Sequence, residues 1–81
     1  MAQLIVFAST HETMQAEALL AEAGVSGALV LKPKGLVGNC GLALQVGEGD
    51  SAPLLSLLAA RQILPAAVYS RFDADRWEIV A

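Results

Sequence analysis

The stretch QLIVFASTHE, Gln3 to Glu12, decides the fold. Gln3 to Ala8 is short, apolar and rich in β-branched residues, the pattern of a buried strand. Leu4 and Val6 point to one side of such a strand, Ile5 and Phe7 to the other. The period then changes at once. Ser9 stands three residues before Glu12, a capping box in which the hydroxyl takes a free amide at a helix start and the carboxylate reaches back. A strand therefore runs directly into a helix, predicted from Thr10 to Ala23. Ala16, Leu19, Leu20 and Ala23 form its apolar face, while His11, Glu12, Gln15 and Glu22 can face water. Gly24 is the left-handed stop.

The same alternation continues downstream. ALVLK, Ala28 to Lys32, reads as a second strand ended by Pro33 and Gly35. KPKGLVGN, residues 32–39, is a loop, and GLALQV, Gly41 to Val46, is a third strand. Asp50 or Ser51 caps a second helix with Pro53 in its first turn, where the missing amide costs nothing. Leu54, Leu57, Leu58 and Arg61 step round that helix, Leu55 widens the stripe, and the helix is predicted to end near Leu64, before Pro65. AAVYSRF, residues 66–72, and RWEIVA, residues 76–81, form two strands joined by a turn at DAD, Asp73 to Asp75. Strand, helix, strand, strand, helix, strand and a final strand predict an α+β, ferredoxin-like two-layer sandwich, with helices on one face of a mainly antiparallel sheet.

The 81 residues make one small domain, residues 1–81. The chain is 56% hydrophobic, which excludes disorder and leaves more apolar surface than one two-layer core can hide. Because the first strand is apolar on both faces, the helix-free face also needs cover. Two covers fit: a second copy of the chain, giving a homodimer, or the C-terminal hairpin. APLLSLLAARQILPAAV, residues 52–68, is nearly long enough for a membrane span. Arg61 in its middle and Pro65 make it a core helix instead, so no membrane role is expected. MAQLIVFAST has no basic leading region and too short an apolar run for a secretory signal. The net charge of −3 and only five Lys and Arg argue against nucleic acid.

Few residues can carry chemistry. A single His11 supports no Ser–His–Asp arrangement, and its place in a first helical turn makes it solvated. GVSG follows a helix, the wrong context for a dinucleotide loop. GEGD precedes a helix, but Glu48 and Asp50 would repel an anion there. The acidic residues form no pair for acid–base work. One cysteine makes no internal disulfide, and with one histidine it makes no metal site, so a reducing, cytoplasmic setting is expected.

Cys40 remains. A free cysteine is commonly buried as a small hydrophobe. Against that, Cys40 lies at a loop–strand junction, with Gly38 and Gly41 beside it and Asn39 between. Lys32 and Lys34 share its loop, and a nearby ammonium favours thiolate over thiol. Backbone amides of GNCG would act alike if they formed a nest. On residues alone, packing and reactivity both stay open.

FASTHETMQAEALLAEAGV and KPKGLVGNCGLAL together resemble the selenium/sulfur carrier-like proteins, a small bacterial family. The matching features are Phe7 and Ser9 at the end of the first strand, Glu17, Leu20 and Gly24 on and after the helix, Pro33 and Lys34 in the loop, and Cys40 with Gly41 opening the third strand. The Cys-Gly pair at its distance from the Pro-basic pair is the specific part. Leu31 departs from the pattern, where a first proline is expected. The resemblance spans most of Leu4 to Leu44; the C-terminal half agrees only in its order of helix and strands.

The resemblance implies a carrier rather than a stand-alone enzyme, with no cofactor beyond a covalent persulfide or perselenide on Cys40. A donor protein such as a cysteine desulfurase would load the thiol and an acceptor protein would unload it. Gly38, Asn39, Gly41, Pro33, Lys32 and Lys34 would form the binding loop, the lysines steadying the thiolate or docking an acidic donor. Glu17 would orient the loop or simply face solvent. The alternative is a non-catalytic dimerisation or regulatory domain in which Cys40 only packs. A metal chaperone would suit the fold but lacks ligands.

Overall fold

The computed structural model describes residues 2–73 and 76–80, apart from the side chain of Phe72. Strand β1, Ala2–Val6, is followed by helices α1, Thr10–Ala18, and α2, Leu20–Ala23. Then come β2, Gly27–Leu31, β3, Leu42–Gly47, and a 3-10 turn at Glu48–Asp50. Helix α3, Ser51–Ala60, leads to β4, Ala67–Asp73, and β5, Arg76–Ile79. The five strands lie in the order β2-β3-β1-β4-β5 and pair antiparallel throughout. The first four follow the ferredoxin-like order expected of two interlocked strand–helix–strand units. The hairpin turn expected at Asp73 to Asp75 falls partly outside the described residues.

The most apolar strand sits at the centre, between β3 and β4. Ile5 and Phe7 face the helices, where they pack with Ala16, Leu20, Leu54 and Leu58. Leu4 and Val6 face the other way and are buried too, with Ala43, Ala67 and Tyr69. Leu36 of the 32–41 loop and Trp77 of β5 pack against that second cluster. The chain thus covers its own helix-free face, from the loop as well as from the C-terminal hairpin. Leu31, 82% exposed, and Leu64, Ile79 and Val80 are apolar residues left in solvent.

Helix boundaries differ from the sequence reading in two places. The first helix is interrupted at Leu19, whose amide bonds Ala16 O at 3.1 Å and Glu17 O, and α2 carries the chain on to Gly24. Gly24, at φ 71°, then lets its own amide and that of Val25 reach Ala21 O and Leu20 O. Helix α3 ends at Ala60 and not near Leu64. Gln62 adopts φ 61°, and the amides of Gln62 and Ile63 close the end on Ala59 O and Leu58 O. A glutamine in a left-handed turn stops the helix ahead of Pro65 and turns Ile63 onto the core. At the exposed ends of α2 and α3, Arg61 meets Glu22 at 2.5 Å, a pair that contributes little in water.

The helix-side core should dominate stability. Leu54→Ala, at a fully buried site, should cost about 2–5 kcal/mol in urea unfolding, whereas Leu31→Ala should change it by less than about 0.5 kcal/mol. Equal effects of the two would contradict the core assigned to α3.

Candidate functional site

The register β1–β3 pairs Ile5 with Leu44 and Leu4 with Gln45. Continued along the same ladder, that register brings the residues just before β3 beside the β1–α1 junction. Cys40 therefore meets the first turn of α1. Ser9 caps that turn in an extended conformation, accepting from the Glu12 amide at 3.2 Å. The capping box closes differently from the expected form, because the Ser9 hydroxyl donates to the Glu12 carboxylate at 3.3 Å. With the turn held this way, Thr10 and Thr13 present their hydroxyls to Cys40 Sγ, each at 3.4 Å. The Leu42 amide donates to the same sulfur at 3.4 Å.

The thiol is closed in, with Cys40 only 2% exposed. Burial pushes its pKa up, but the hydrogen bonds from Thr10, Thr13 and Leu42, together with the Lys32 ammonium, outweigh it and hold the thiol below its ordinary value. Ionisation then stabilises the fold. That contribution is complete above the unfolded thiol's pKa and is lost as pH falls through the folded one. The arrangement can hold an anionic sulfur, the form that attacks other sulfur atoms.

Of the loop residues picked out in the sequence, three converge here. Lys32 Nζ donates to Val37 O at 3.1 Å and to Gly38 O, strapping the loop across its base. Gly38, at φ 97°, packs so tightly that a Cβ would stand 2.8 Å from Phe7 O, so no other residue fits. Cys40 follows directly. Gly41 contributes its carbonyl, which accepts from the Lys32 amide at 2.9 Å, and a Cβ there would meet nothing within 4 Å. The amide that reaches the sulfur belongs to Leu42, not to a nest in GNCG.

The others lie elsewhere. Asn39 is exposed. Pro33 and Lys34 line a groove of about 470 Å³ on the helix-free face, with Leu31, Arg71 and Trp77. Glu17 is half-buried on α1 and is not among the groups bonded to the sulfur. Thr10 and Thr13 escaped the sequence reading. They stand 30 and 27 residues from the cysteine, and only the β1–β3 register could have pointed to them.

Among the described residues, no three of His, Cys, Asp and Glu gather as a metal site needs. Among the same residues, no helix is long and apolar enough to cross a membrane.

Tyr69 provides a second tether for the loop, its hydroxyl oxygen accepting from the Val37 amide at 3.2 Å. Tyr69→Phe removes that acceptor without touching the sulfur. Native-state alkylation of Cys40 should quicken about fivefold, for ~1 kcal/mol of lost loop closure, with its pH midpoint unmoved. An unchanged rate would show that this tether does not control access.

One comparison with known proteins gives a match. The family described as "Putative Se/S carrier protein-like" matches residues 3–70, which run from the second residue of β1 through the 32–41 loop, β3 and α3 to Ser70 in β4. No curated protein and no solved structure shows a match to the chain.

Proposed function

The chain belongs to this Se/S carrier protein-like family, and on that premise we propose that it carries a sulfane sulfur, or its selenium counterpart, on the Cys40 thiol. The observation that supports this most directly is the set of donors around Sγ. Two hydroxyls, one amide and a nearby ammonium favour an anion at a position a packed thiol would leave neutral.

The transfer is a thiolate exchange. Cys40 sulfur attacks the outer sulfur of a donor persulfide, the donor's S–S bond breaks, and the donor leaves as a thiolate. Cys40 then bears the persulfide. An acceptor thiolate attacks the outer sulfur of Cys40 in turn, and the Cys40 thiolate is regenerated. Each step makes one S–S bond and breaks one, so no oxidant is consumed. Selenium in the outer position follows the same course. The donors at Sγ favour both steps, because the cysteine is nucleophile in the first and leaving group in the second.

The burial of Cys40 favours a second reading, an interaction domain in which the thiol only packs. The two differ in what the sulfur does. Incubated with a cysteine desulfurase and cysteine, the chain should gain the mass of one sulfur atom, removable by reductant, and Cys40→Ser should gain none. A wild-type thiol left unmodified across several donors would overturn the carrier reading in favour of the packed one. In the carrier the loop must open for each transfer, and the Lys32 strap and the Tyr69 tether are the contacts that opening breaks.

A further inference from the structure

Thr13 is fully buried, yet its hydroxyl has two acceptors within reach: Ser9 O at 2.9 Å and Cys40 Sγ at 3.4 Å. A hydroxyl carries one hydrogen and cannot donate to both. We propose that Thr13 is a positioning residue whose single proton turns from the Ser9 carbonyl to the Cys40 sulfur when the thiol ionises.

The geometry makes the turn easy. With a neutral thiol, Thr13 donates to Ser9 O, four residues back, as threonines in helices do, and its oxygen can accept the S–H. With a thiolate, only the O–H bond rotates; Oγ1 stays in place. Ser9 O is not abandoned, because the Thr13 amide donates to it at 3.1 Å in either state. The proton lost from sulfur goes to solvent, and no other bond breaks.

Thr10 stands at the same 3.4 Å from the sulfur, but it is exposed, so water can replace its hydroxyl. Nothing replaces Thr13. Five charged or titratable groups lie on the packed elements, α1 and the 32–41 loop; of these, Glu17 is half-buried on α1 and Lys34 lines the groove on the helix-free face. Lys32 is tied to loop carbonyls, Glu12 accepts from Ser9, and His11 is exposed. None of them is a hydrogen-bond partner of Sγ, so the direct response to ionisation falls to the hydroxyls and the Leu42 amide. The switch lets the anion persist while the loop is closed, which is what storage between loading and unloading requires. This purpose rests on the carrier reading. The switch itself does not, and its test uses no sulfur donor.

The test is the pH profile of Cys40 alkylation by iodoacetamide in the intact folded chain. Thr13→Val keeps the shape and should move the midpoint up, leaving roughly tenfold less thiolate at neutral pH, the scale of one lost hydrogen bond to an anion. Thr13→Ser should restore the wild-type midpoint, and Thr10→Val should shift it less than Thr13→Val. A Thr13→Val midpoint equal to wild type, or a serine variant displaced as far as the valine one, overturns the proposal. Should Thr13→Val not fold, Thr10→Val still decides. Below its midpoint, the infrared S–H band of this variant should show a hydrogen-bonded thiol, because Thr13 remains to accept. A free S–H band there contradicts the switch. If the switch holds while no donor loads the sulfur, the carrier reading alone fails.

Discussion

Where the 32–41 loop crosses the end of β1, there is room for a hydrogen at residue 38 and for nothing larger. That contact, Gly38 against the Phe7 carbonyl, seats the loop on the central strand. The rest follows from it. Leu36 is carried over the helix-free face and joins Val6 and Tyr69 in the second apolar cluster. Lys32 finds the carbonyls of Val37 and Gly38 within reach, and Tyr69 finds the Val37 amide. Two residues on, Cys40 is delivered to the first turn of α1. One close approach thus links the packing of the open sheet face to the chemistry of the sulfur.

Two opposed terms act on that sulfur, and their sizes decide its state. Removing a charge from water costs several kcal/mol. Hydrogen bonds to a charged group contribute about 1.5–3 kcal/mol each, somewhat less to sulfur at 3.4 Å, and three converge on Cys40. The Lys32 charge adds to them, although it is partly exposed and screened. The bonds prevail because their donors already stand in place: the helix cap fixes both threonines, and the start of β3 fixes the Leu42 amide. The same enclosure that lowers the pKa also hides the thiol, so reactivity and access are set by different contacts. Thr10, Thr13 and Leu42 set the first; the Lys32 strap, the Tyr69 tether and the Gly38 seat set the second.

Much of this was legible in the chain. The alternation of Leu4, Ile5, Val6 and Phe7 assigned both faces of β1, and Ser9 with Glu12 placed the start of α1. The order of elements implied the sheet order, because antiparallel strand–helix–strand units interlock in few ways. What stayed hidden was non-local or lacked a residue code. Gln62 in a left-handed turn has no glycine to announce it. The break at Leu19 falls inside an unbroken run of good helix formers. Cover from Leu36 depends on contacts across the sheet, whereas cover from Trp77 in the C-terminal hairpin was one of the two the sequence offered. At the site, Cys40 and Lys32 were readable because the loop holds both. Thr10 and Thr13 looked like ordinary first-turn residues until the β1–β3 register set them against the sulfur. Lys34, as promising as Lys32 by spacing alone, lines the groove on the helix-free face and is not among the groups that act on the sulfur.

With these donors around it, the folded chain holds Cys40 as an anion more readily than water does. The direct measurement is the ultraviolet thiolate absorbance of the wild-type chain across pH, with Cys40→Ser subtracted to remove the tyrosine signal. The midpoint in the folded chain should lie below that of a free cysteine and move up to the free value in denaturant. A folded midpoint at or above the denatured one would contradict it.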